Sequence, residues 1–142
     1  MNTMTPPPAG ALAYASNARS TASPARLLVM VYDRLLLDLD RAAACIADNR
    51  PPHEHLMHAQ DIVMELLSTL DTSIWAGGRT LSGLYSYLHR QLIEANISRD
   101  FGLVAECREI IEPLRDAWSQ AAMNPRDERD QGQKAPFAST VA

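Results

Sequence analysis

Aromatic residues are scarce in this chain of 142 residues: two Trp, four Tyr and two Phe, 6% of the sequence. A core must therefore be filled by Leu, Ile, Val, Met and Ala, and the hydrophobic content of 46% is enough to do so. Cysteine is rarer. Cys45 and Cys107 lie far apart with no Cys-x-x-Cys spacing, so they read as buried thiols in a reducing compartment, not as a disulfide framework. A basic excess is also missing. Thirteen Lys and Arg against 17 Asp and Glu leave a net charge of −4, which argues against nucleic acid as the main partner because phosphate binding needs a basic stripe. No apolar run reaches the ~18 residues of a membrane span. The N-terminus lacks the basic start and apolar core of a signal peptide. The expectation is one cytoplasmic domain with loose ends and no membrane insertion.

What is present is helical periodicity. The strongest stretch is Thr80–Asp100, where Leu81, Leu84, Tyr85, Leu88, Leu92 and Ala95 recur at steps of three and four while Arg90, Glu94 and Ser98 take the far side. Such a helix needs others to cover its stripe, and three more patterns supply them. The first runs over 24–48, with Ser23 as N-cap, Pro24 in the first turn, and Leu28, Val31, Leu35, Leu39, Ala42 and Ile46 as its stripe. The second runs over 53–70 with Leu56, Ala59, Val63, Leu66 and Leu70. The fourth, over 101–123, carries Leu103, Cys107, Ile110, Ile111, Leu114, Trp118 and Ala121. Pro113 inside that last pattern removes a backbone hydrogen bond and predicts a kink. Asn49–Pro52 and a connection over 71–79 containing Gly77-Gly78 separate the helices. The fold class expected is all-α, an antiparallel four-helix bundle over 9–124. Residues 1–8, with three prolines in a row, read as a disordered tail, and 125–142, polar and of mixed charge, read as another. Ala9–Asn17 is a short cap segment whose Leu12 and Tyr14 have something to bury only if it docks, as a displaceable lid.

The first two helices carry more apolar surface than one core stripe requires. Leu27, Met30 and Leu37 form a second line interleaved with Arg34, Asp38 and Arg41, and Met57, Gln60, Met64 and Leu67 form another. Two readings stand: central or self-associating helices, or grooves for a partner's helices, to which flexible Met adapts well. Asp33, Asp38 and Asp40 with Arg34 and Arg41 read as a solvated face with local ion pairs. His55, His58 and Asp61 fall on one side of a helix, but no matching ligand set appears on another, so an exposed helix start is the simpler reading and no metal or cofactor is expected. No Ser or Thr has a His placed to activate it, and Gly77-Gly78 is too short for a phosphate loop, so no enzyme is expected.

Four segments together resemble the flagellin-specific export chaperone family, FliS. They are Thr21–Pro24 leading into Leu27–Asp33, then Ala59–Leu70, then Leu84–Asn96, then Leu114–Trp118. Their order and spacing cover about Tyr14–Ala121. The resemblance implies a cytosolic chaperone that holds the polymerisation-prone C-terminal segment of flagellin and helps deliver it to the export gate. It also implies an N-terminal cap, a free protein that is a monomer or weak dimer, and partner contacts at Tyr14, Leu27, Met30, Val31, Arg34, Leu37, Met57, Gln60, Met64, Leu67, Tyr87 and Gln91. The sequence departs from the family pattern at Arg34, where a small residue is common, and at Pro113, where the helix usually continues without proline.

Overall fold

The computed structural model describes residues 23–71 and 77–123. They form four helices: α1 (Pro24–Ala47), α2 (His53–Thr69), α3 (Gly78–Ser98) and α4 (Phe101–Met123). The tails over 1–8 and 125–142, the cap segment Ala9–Asn17 with Tyr14, and both domain boundaries lie outside the described residues.

The helix ends follow from side chains. Ser23 accepts a hydrogen bond from the Arg26 amide at 3.1 Å, and Pro24, with no amide hydrogen to satisfy, fits the first turn. α1 stops where Asn49 turns left-handed (φ 57°). The Asn49 amide then bonds the Ile46 carbonyl and the Arg50 amide bonds the Cys45 carbonyl, the paired bonds of a Schellman stop. α3 ends the same way at Arg99 (φ 52°), and the Asp100 amide returns to the Ala95 carbonyl. One residue later the Asp100 carboxylate caps the next helix by accepting from the Gly102 amide at 2.8 Å. α3 begins two residues before the expected Thr80: Gly77 caps it and Gly78 is already helical and buried.

Each helix packs against two neighbours, in the ring order α1–α2–α3–α4 and back to α1. The contacts across the seams run antiparallel. Arg108 meets Asp40 and Arg115 meets Asp33, so seven residues forward on α4 match seven residues backward on α1. His53 at the start of α2 likewise bonds Asn96 near the end of α3. Connections of five, eight and two residues are consistent with this up-and-down order.

The core contains the predicted Leu28, Leu35, Leu39, Leu56, Val63, Leu81, Leu88, Leu92 and Ile111, all fully or nearly buried. Each contributes about 1.5–3 kcal/mol on leaving water. Tyr32, Leu36 and Val104 join them unpredicted, and Cys45 and Cys107 are buried as free thiols, as expected. Across the bundle, Tyr32 on α1 and Tyr85 on α3 place their hydroxyls 2.6 Å apart in the interior.

α4 runs on as one helix through Pro113, which is exposed, so the helical hydrogen bond that the proline removes lies on the outer side of the bundle. One expectation fails. The acidic and basic residues of α1 do not form a solvated face with purely local pairs. Asp33 and Asp40 pair across to α4, and Asp38 is 0% exposed. Helical position put Asp38 beside the core stripe, and packing of α2 against that side covers it.

Candidate partner-binding surface

The four seams of the bundle differ in how they are closed. Along α1–α4, Arg108 donates to Asp40 at 2.8 Å and also pairs with Glu112, and Arg115 donates to Asp33 at 2.7 Å. These pairs are exposed to water and act on register more than on stability. Along α3–α4, Glu106 accepts from the Tyr87 hydroxyl at 3.0 Å and from the Gln91 amide at 3.1 Å. The hydrogen bond to that carboxylate, which ionising the hydroxyl would lose, raises the Tyr87 pKa above its usual value. Along α1–α2, the buried carboxylate of Asp38 is bound by His58 Nδ1.

The α2–α3 seam is different. Among the described residues its polar bridge is His53–Asn96, at one end. From His53, steps of four, three and four along α2 reach Met57, Gln60 and Met64. Antiparallel packing sets Met57 near the level of Ile93 on α3. Met57 is 39% exposed, Met64 45% and Ile93 38%, and Ile97 beyond them is 74% exposed. This apolar line is left open along the outside of the seam.

The residues expected to contact a partner are therefore spread over three regions. Leu27, Met30, Val31, Arg34 and Leu37 share the outward and α2-facing sides of α1; Leu37 and Arg34 are exposed and the other three half-buried. Met57, Gln60, Met64 and Leu67 follow the α2–α3 seam, where Met57 and Met64 are exposed, Leu67 is half-buried and Gln60 is buried. Tyr87 and Gln91 are half-buried and tied to Glu106. Tyr14 lies outside the described residues. Sequence reasoning missed Ile93 and Ile97, although both fall off the core stripe of α3 and so had to face outward. It also missed the Asp38–His58 pair, for which no spacing within one helix gives a signal.

Cys107 is buried, and burial, with the nearby Glu106 carboxylate, pushes its thiol pKa up to about 12, so it stays protonated and packs as a small apolar group. Among the described residues no cluster of three His, Cys, Asp or Glu side chains is arranged to hold a metal ion, and no helix is long and apolar enough to cross a membrane. His58, one of the candidate ligands, is engaged by Asp38, and His53 by Asn96.

Fold and surface define a class: a small antiparallel helical bundle with apolar side chains left on its outside. The model of the family described as flagellar protein FliS matches residues 8–125. The chain is 36% identical over 119 residues to a flagellar secretion chaperone FliS of Bacillus subtilis (strain 168), covering 82% of this chain and 89% of the relative. It is 31% identical over 124 residues to a flagellar secretion chaperone FliS of Escherichia coli (strain K12), covering 82% and 91%. The chain belongs to the FliS family of flagellar secretion chaperones.

Proposed function

We propose that this protein is a cytosolic chaperone that binds the C-terminal segment of flagellin, keeps it from polymerising early, and hands it on for export. The observation that carries this reading is the open apolar line of Met57, Met64, Ile93 and Ile97, on a bundle whose α1–α4 and α3–α4 seams each carry two polar bridges and whose α1–α2 seam carries the Asp38–His58 pair. An amphipathic helix laid along that line would cover side chains that the free fold leaves in water. Each large side chain so covered contributes up to about 1.5–3 kcal/mol before the cost of ordering the ligand. The names of the two relatives, flagellar secretion chaperones, support flagellin as the cargo.

Calorimetric titration of the full chain with the C-terminal segment of flagellin tests the reading. The expected result is 1:1 binding that Met57→Ala and Met64→Ala weaken without unfolding the chaperone. Light scattering of flagellin with and without the chaperone should show delayed filament growth. Absence of binding, together with a stable dimer in sedimentation, would favour the self-associating reading instead.

A further inference from the structure

Asp38 is the one buried carboxylate in the described part of the bundle, and its two oxygens fare differently. Oδ2 is held by His58 Nδ1. Oδ1 is buried and has no hydrogen-bond partner. The cation beside it is Arg34, one turn earlier on α1, whose Nη2 lies 3.5 Å from Oδ1, an ion-pair separation without a hydrogen bond. A buried carboxylate is costly unless it is paired and fully bonded, so this arrangement needs a reason beyond holding the fold.

Arg34 supplies one. Its side chain is 47% exposed, whereas that of Asp38 is 1% exposed. A guanidinium has five donors in a fixed plane, and among the described residues Arg34 spends none of them in a hydrogen bond and pairs with Asp38 alone. It stands among apolar neighbours on the same helix: Met30 and Val31 one turn before, Leu37 one turn after, all at least partly accessible. We propose that Arg34 is a receptor for a carboxylate on the bound segment, with Asp38 and His58 as positioning residues that hold the guanidinium from beneath. The partner that fits is an amphipathic helix carrying an Asp or Glu beside its apolar anchors. One edge of the guanidinium faces Oδ1 of Asp38, and the other is free to take that carboxylate in a bidentate bond.

The chain's own N-terminal segment cannot play this part with a side chain, because residues 1–22 contain no Asp or Glu. The segment over 124–142 does contain Asp127, Glu128 and Asp130, so the test must separate it from a partner.

The inference rests on the chaperone reading above, and the experiment distinguishes the two. The full-length protein, Arg34→Gln, Asp38→Asn and His58→Gln are each titrated with the C-terminal segment of flagellin, with circular dichroism confirming the fold. The same titrations are repeated with each Asp and Glu of that segment changed in turn to Asn or Gln. Arg34→Gln is expected to weaken binding about tenfold, as loss of a charge-assisted bond does. The effect should shrink at high salt and should vanish when one particular acid of the segment is neutralised, a coupling that a merely structural role would not produce. Asp38→Asn and His58→Gln should each weaken binding less than Arg34→Gln and show coupling to that same acid. If wild type binds the segment and Arg34→Gln binds equally well, the receptor is overturned while the chaperone reading stands. An Arg34→Gln effect that couples to no acid of the segment, or that disappears when residues 126–142 are deleted, overturns it as well. If wild type does not bind at all, the chaperone reading falls first and this inference with it.

Discussion

A pair of buried hydroxyls that face each other can place only one hydrogen between their oxygens. Tyr32 and Tyr85 are in that position, 2.6 Å apart and essentially without solvent exposure. Removing one hydroxyl strands the other in the interior, whereas removing both leaves two apolar rings of nearly the same shape. Tyr85→Phe alone is therefore expected to cost about 1–3 kcal/mol, and the double change Tyr32→Phe with Tyr85→Phe clearly less than the sum of the singles. Urea unfolding of the four proteins checks this, and additive losses would show that the two hydroxyls act separately. The same pair sets an alkaline limit. Burial pushes the Tyr32 pKa up from 10.0 to about 12, the bond from Tyr85 opposing the shift in part, and burial raises Tyr85 too. The folded state thus binds these protons more tightly than the unfolded chain. The stability they contribute is fully present below pH 10 and is lost as pH rises through 10 toward about 12. Urea midpoints measured between those limits should fall for wild type and stay flatter for the double Phe variant.

At the scale of the helix, what could be read from the sequence and what could not divide along physical lines. Period and caps are local, so all four helices were legible, as were the Ser23–Pro24 start and most core leucines. Asp38 was not, because a helical period gives the angle of a residue on its own helix but not which neighbour will cover that side. Its burial is decided by α2, through His58. The Tyr32–Tyr85 contact and the bridging of Glu106 by Tyr87 and Gln91 were hidden for the same reason: each joins residues on different helices whose relative rotation no single segment encodes. Proline in α4 is the instructive intermediate case. Local chemistry correctly says that Pro113 forfeits a hydrogen bond, but the exposed position lets water take the orphaned carbonyl, and the helix continues. The cost nevertheless remains in the fold. Pro113→Ala, at a site with no buried surface to lose, is expected to stabilise the protein by about 1–3 kcal/mol. A melting temperature that stays level or drops would mean that the ring fixes a bend on which packing around Leu114 and Trp118 depends.

For the whole molecule, the decisive question is how apolar surface is divided between holding the bundle and holding a partner. The two uses compete, since every Leu or Met placed on the outside is missing from the core and exposes the free chain to association. In the reading proposed above, the bundle separates them by seam. Leu88 on α3 is 1% exposed and packs in the centre, whereas Met64 on α2 is 45% exposed beside the same helix. Leu88→Ala should therefore destabilise the free protein by about 2–5 kcal/mol, the usual result of truncating a large side chain in a packed interior. Met64→Ala should cost less than about 1 kcal/mol of stability, because half of that side chain never left water, yet it should weaken flagellin binding by about 1–2 kcal/mol when the segment covers it. Thermal melts of the two variants, alone and with the C-terminal segment of flagellin, read both quantities at once. The segment should raise the melting temperature of Leu88→Ala by nearly as much as that of wild type, and that of Met64→Ala by distinctly less. Should Met64→Ala prove the variant that unfolds, the α2–α3 seam is part of the core and the partner must lie along the outer side of α1, where Leu27, Met30 and Leu37 would take over as anchors.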